Sequence, residues 1–239
     1  MMTTVNAGAT AGRPARRALA DWTVERLYDL IFTGQLAAGA DLGEEELSAR
    51  LDVSRTTVSV ALRQLESDGL AVIAAGNGRR VVATFGLVDI HELYTIRSSL
   101  EELATREATP RMTPEVINRL HDLQDEMERR SLERGDPHRR DYGVDFDFHR
   151  TIAETSGMRR LITALGPIWS QTHALLRQVH SVGAYGDAKE DAAAHADHRS
   201  ILAAIEQGNV DDAVAAVRSH MHARRDQLVA GVRARGAIT

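Results

Sequence analysis

The spacing of apolar residues divides the chain into two parts. From Asp21 to Phe32, Val24, Leu27, Leu30 and Ile31 recur at helical intervals, and Gly34 and Gly39 then break the pattern. A second helix is predicted after Gly43, because Glu44, Glu45 and Glu46 put negative charge where the helix dipole favours it. Leu47 and Leu51 supply its inner face. Ser54 is suited to cap a third helix that turns Val58, Ala61, Leu62 and Leu65 inward. Beyond Gly69, Leu70 to Ala75 and Arg80 to Ala83 read as two short strands around Gly76-Asn77-Gly78, whose glycines accept positive φ. Three helices and a two-stranded wing predict a winged helix-turn-helix, a fold that sets its last helix into the DNA major groove.

From Asp89 onward the apolar period stays near 3.6, with breaks at Pro110, Gly135-Asp136-Pro137, Gly157, Gly183 to Gly186 and Gly208-Asn209. Six helices are predicted, over 89–108, 113–134, 138–156, 158–180, 188–207 and 210–232. The expected fold is therefore mainly α. It comprises a flexible arm at 1–20, the winged helix-turn-helix at 21–83, a linker at 84–88, an all-α bundle at 89–232 and a tail at 233–239.

Composition alters this picture in three places. The 239 residues are 43% hydrophobic, enough for a real core. Cysteine is absent, so a metal here must be held by histidine and carboxylate. No apolar run reaches the roughly 18 residues of a membrane span, and residues 1–20 lack the apolar core of a secretory signal, so a cytoplasmic protein is expected. A net charge of −5 gives no global attraction to nucleic acid. Between Asp21 and Ala83, arginines stand at 26, 50, 55, 63, 79 and 80 against ten acids, so any positive face must be local, drawn from Arg55, Arg79, Arg80 and the arm.

Candidate chemistry comes from polar residues on apolar stripes. In Val144-Asp-Phe-Asp-Phe-His-Arg-Thr151, Val144, Phe148 and Ile152 define the buried side of a helix. Asp145 and His149 flank that stripe one turn apart, and Asp147 points away. His198 travels with Ile201, Leu202 and Ile205, His220 with Val217 and Met221, and Arg97 with Leu93, Leu100 and Ala104. Charged residues are seldom fully buried unless paired, so Asp145 and Arg97 each require a partner. Two arrangements meet that need: a divalent cation held by Asp145 and the three histidines, or an Arg97–Asp145 salt bridge beside hydrogen-bonded histidines. His195 competes with His198 for a ligand position. His173, His180 and His222 read as surface or pocket-wall residues, and Trp169 and Arg177 suit either a cavity wall or ordinary packing.

The stretch "GADLGEEELSARLDVSRTTVSVALRQLESDGLAVI" resembles the N-terminal domain of GntR-type bacterial transcription regulators. That resemblance implies that Arg55, Thr56 and Thr57 face double-stranded operator DNA and that Gly78 shapes the wing, with Arg79 beside it. Ser59 and Glu45 stand where family members commonly carry basic residues. The run "LYTIRSSLEELATREA", the Asp145-x-x-x-His149 pair and "HRSILAAIEQGNVDDAVAAVRSHM" resemble the all-helical FCD-type ligand domain of the branch typified by fatty-acid and organic-acid regulators. It implies a divalent metal (Zn, Ni or Mn) on Asp145, His149, His198 and His220, a small organic-acid effector near Arg97, and a homodimer. The competing classes are a metal-dependent hydrolase and a regulator whose helical domain serves only to dimerise.

Overall fold

The structure, a computed structural model, describes residues 16–76, 78–132, 142–184 and 188–236. Its first part contains helices α1 (Arg16–Phe32), α2 (Glu44–Leu51) and α3 (Arg55–Ser67), then strands β1 (Ala71–Ile73) and β2 (Arg80–Val82). The second contains α4 (Leu87–Ala108), a 3-10 turn (Thr109–Arg111), α5 (Pro114–Leu132), α6 (Gly143–Thr155), α7 (Arg159–Ser181), α8 (Ala188–Glu206) and α9 (Val210–Arg235). Among the described residues this is the mainly α architecture that the apolar pattern predicts, with one small sheet following the helix-turn-helix.

Local chemistry accounts for the boundaries. The Ser54 hydroxyl accepts the Thr57 N–H at 3.1 Å and opens α3. Asp52, at φ 51°, closes α2 and makes the tight turn into α3. In the wing, Val72 pairs antiparallel with Val81, and Gly76 and Gly78 take φ of 94° and 66°, which suits residues without a Cβ. The Asn209 side chain caps α9 by accepting from Asp212 N.

The boundaries depart from expectation at both ends. Helix α1 begins at Arg16, inside the expected arm, because Ala18, Leu19 and Ala20 favour helix and Leu19 packs on the core. Helix α9 runs past 232, since Leu228 and Val232 are fully buried and anchor its last turns. Residues 1–15, the expected break at Gly135-Asp136-Pro137, Asn77 and residues 237–239 lie outside the described residues.

Leu27, Leu47, Val58, Leu62, Leu65 and Leu70 fill the winged-helix core, and Leu120, Phe148, Leu165, Ile201, Val217 and Met221 lie in that of the bundle. Helix α4 runs along α9 and also packs on α6 and α7. Helix α7 reaches the winged helix. Its Gln171 donates to Asp68 O at 3.0 Å, Arg177 donates to Thr33 O at 3.1 Å, and Gln178 both accepts from Phe85 N at 3.0 Å and donates to Phe85 O at 2.8 Å. Gly34 is required at this contact: its φ is 77°, and a Cβ there would lie 2.8 Å from the Arg177 Nη2.

Candidate metal centre and nucleic-acid face

Three helices bring the polar cluster together. On α6, burial of Val144, Phe148 and Ile152 turns the neighbouring Asp145 and His149 toward α8 and α9. On α8, the stripe of Ile201, Leu202 and Ile205 carries His198 inward, and on α9 Val217 and Met221 do the same for His220. One potential ligand atom from each of Asp145, His149, His198 and His220 lies within 4.8 Å of the other three. The histidines are buried, and Asp145 is partly open.

The spacing fits a small divalent cation. His198 Nε2 lies 3.3 Å from His149 Nε2 and 3.3 Å from Asp145 Oδ1. Ligands at about 2.1 Å in tetrahedral array stand about 3.4 Å from one another. Burial, reinforced by His220 and His149, pushes the His198 imidazole well below its ordinary value. Burial also lowers His220, against the opposing hydrogen bond to Asp197. Neutral imidazoles are the form that binds metal.

A second layer of polar groups holds these rings. His149 Nδ1 lies 2.8 Å from Glu101 Oε2, and His220 Nδ1 lies 3.3 Å from Asp197 Oδ2. Glu101 Oε1 accepts from Arg97 Nε and from Trp169 Nε1, each at 2.9 Å. Burial opposes the Glu101 charge, but Arg97, His149 and Trp169 outweigh it and hold the carboxyl well below the usual carboxylate range. Arg224, one turn beyond His220, donates to Glu190 O at 3.0 Å and lies 3.7 Å from Asp197.

The Arg97 partner differs from the one sequence reasoning offered. Arg97 pairs with Glu101, four residues on along α4, and contributes only long-range attraction to Asp145. An i, i+4 pair of this kind is common on exposed helix faces, so the spacing alone does not mark Glu101 as buried. Asp197 carried no signal at all, being the immediate neighbour of His198. His195 falls outside the four-residue group, although its carbonyl accepts from Gln124 at 3.4 Å. The Asp147 side chain is half-exposed and more open than that of Asp145, in line with its place on the far side of α6. Trp169 is buried against Glu101, whereas Arg177 turns toward Thr33 and away from the cluster. His173 is half-buried and stacks on both Phe32 and Phe146.

On α3, Arg55 and Thr56 are exposed at the first turn, while Thr57 is half-buried and committed to the Ser54 cap. Open space surrounds Gly78. Arg79 pairs with Asp41. Arg80 lies half-buried between Glu66 at 2.7 Å and Glu44 at 3.3 Å, which removes it from the local positive face. Among the described residues, no helix is long and apolar enough to cross a membrane.

The winged helix-turn-helix is thus followed by an all-helical domain with a buried polar cluster. The profile described as "Bacterial regulatory proteins, gntR family" matches residues 19–81, and that of the FCD domain matches residues 92–223. The chain belongs to the GntR family of transcription regulators, among those with an FCD domain. It is 28% identical to an uncharacterized HTH-type transcriptional regulator in an unstable DNA locus of Streptomyces ambofaciens, covering 92% of this chain and 87% of that protein. It is 28% identical to the Nta operon transcriptional regulator of Aminobacter aminovorans, over 84% of this chain and 89% of the relative. A probable D-xylose utilization operon transcriptional repressor of Paenarthrobacter nicotinovorans is 27% identical, over 90% and 91%. Among solved structures, E. coli McbR/YncC shares the fold with a TM-score of 0.74 at 22% identity, covering 88% of this chain and 96% of that one.

Proposed function

We propose that this regulator binds operator DNA as a homodimer in the cytoplasm, and that a small carboxylate metabolite at a divalent cation in the helical domain changes that binding. Asp145, His149, His198 and His220 would hold the cation. The observation that carries this reading is the convergence of their four ligand atoms within 4.8 Å in a largely buried setting. Arg97 adds a second argument. Its buried Nη2 has no hydrogen-bond partner among the described residues, although the Nε is paired with Glu101. A carboxylate oxygen meets such a donor well. The cation would supply open coordination positions for the same carboxylate.

The names of the relatives support metabolite control, since two are called regulators of the Nta and D-xylose utilization operons. For DNA, Arg55, Thr56 and Thr57 would meet the major groove, and Gly78 and Arg79 would place the wing. The rival hydrolytic role needs a general base. The further buried carboxylate at the cluster, Glu101, is already engaged by Arg97, His149 and Trp169.

Metal analysis of the purified protein, followed by mobility shift on its upstream DNA with and without candidate carboxylates, tests the reading. Expected are about one equivalent of Zn, Ni or Mn per chain and a carboxylate-dependent change in the shift. Less than about half an equivalent, with none regained on adding metal, sinks it.

A further inference from the structure

A continuous file of planar groups joins the polar cluster to the recognition helix α3. The Arg97 guanidinium carbon lies 5.2 Å from the centroid of the Phe146 ring, and Phe146 sits between the two cluster residues of α6, directly after Asp145 and three before His149. Phe146 stacks on His173 of α7, with centroids 5.3 Å apart and planes 20° from parallel. The other face of His173 is covered by Phe32 of α1, at 4.0 Å and 9°. Phe32 in turn stacks on Tyr28 at 5.6 Å and 14°. The Tyr28 hydroxyl donates to the carboxylate of Asp68, the residue that closes α3. Gln64 of α3 donates to the same carboxylate oxygen at 2.9 Å, and Gln171 of α7 donates to the Asp68 carbonyl at 3.0 Å.

The two faces of one imidazole are thus occupied by two different domains. Stacked rings with planes within about 20° tolerate sliding along the faces but resist being pushed into one another, because repulsion rises steeply once atoms pass van der Waals contact. A cation held by Asp145 and His149 would restrain the stretch of α6 that carries Phe146. With α6 helical throughout, that restraint would reach His173 through the stacked ring. Phe32 and Tyr28 lie on one face of α1 four residues apart, so the same restraint would arrive at the end of α3.

We infer that His173 is the coupling residue of this regulator: through its stack between Phe146 and Phe32 it positions the end of the recognition helix according to the state of the helical-domain cluster. The inference rests on the reading that a cation fills the cluster. The role of His173 is that of a flat ring held from both sides.

The test uses the full-length protein, Zn2+ as the probe, and hydrogen exchange followed peptide by peptide. In the wild type, Zn2+ slows exchange around the four cluster residues and also at residues 26–34 and 62–70, the latter two by about fivefold or more, the size of ordinary allosteric coupling. His173→Leu keeps the Zn2+ affinity within about twofold and keeps the protection of the bundle, but loses the protection of the winged helix. His173→Phe restores it, which a proton-binding histidine would not predict. Equal winged-helix protection in the leucine variant overturns the proposal, as does a wild type that binds Zn2+ with no response at residues 26–34. Absence of Zn2+ binding in the wild type instead removes the metal reading. The relay is then decided without metal: Phe146→Leu speeds exchange at residues 26–34 in the wild-type background and not beside His173→Leu, whereas additive effects overturn it.

Discussion

His149 and Glu101 meet across the contact between α6 and α4, with Nδ1 2.8 Å from Oε2 and both side chains almost fully buried. The pairing turns Nδ1 to the carboxylate and leaves Nε2, 3.3 Å from His198 Nε2, facing the cluster. The same carboxylate holds Arg97 and Trp169. One buried acid therefore orients a candidate ligand, neutralises the arginine expected to receive the effector and anchors α7.

Glu101→Gln keeps the shape of this hub but removes its charge. Metal affinity is expected to fall about 10–100-fold, as when such supporting carboxylates are lost elsewhere. The protein should also lose about 3–5 kcal/mol of stability, because Arg97 is left buried without a counter-ion. Calorimetric titration with Zn2+ and urea denaturation measure the two effects, and unchanged affinity would show that Glu101 does not support the centre.

Asp145→Asn and Asp147→Asn separate the inner from the outer face of α6. The first is expected to weaken metal binding more than about 100-fold, exceeding the effect of a supporting residue. The second should leave it unchanged, since the Asp147 side chain is half-exposed, lies outside the four-residue group and faces Arg150 only at 4.0 Å. The opposite ranking would falsify the helical placement of this pair.

Acid should destabilise the metal-free protein from the histidine side first. His198 and His220 are held below their ordinary value by burial, so the unfolded chain, whose histidines take protons near pH 6.5, binds more protons below that point. Stability is therefore present above about pH 6.5 and falls as the pH drops below it, by up to about 1.4 kcal/mol per pH unit for each of the two histidines. Glu101, also depressed, keeps its contribution through this window and loses it only below the usual carboxylate range. Melting temperatures of EDTA-treated protein at pH 7.5 and 5.5 provide the check, and a flat or rising trend on acidification contradicts it.

Ser54→Ala removes the side-chain acceptor of the Thr57 N–H. A loss of about 1 kcal/mol is expected, read as a lower urea midpoint with an unchanged slope. Fraying at the start of α3 should also weaken DNA binding, because Arg55 and Thr56 occupy that turn.

Operator affinity should depend steeply on salt, with Arg55→Ala reducing the slope of log affinity against log salt by about 1. Ion pairs to Asp41, Glu44 and Glu66 occupy Arg79 and Arg80, so the affinity itself should be modest. A binding curve flat in salt argues against the DNA face described for α3.

Local physics made much of this protein legible in its sequence. Helical and strand periodicity located the winged helix and the helices of the bundle, since a stripe that must be buried is written at fixed intervals. The same logic turned Asp145, His149, His198, His220 and Arg97 inward, because the residues that share their faces are apolar. Glu101, Asp197 and His173 were not legible as functional positions. Each acquires its meaning from a partner on another helix: His149 for Glu101, His220 for Asp197, and Phe32 with Phe146 for His173. The sequence by itself determined which apolar stripes leave water and the polar residues that travel with them. Only the packing of α4, α6, α7, α8 and α9 decided which of them meet, because contact distances of about 3 Å depend on helix placement that no repeat along a single chain encodes.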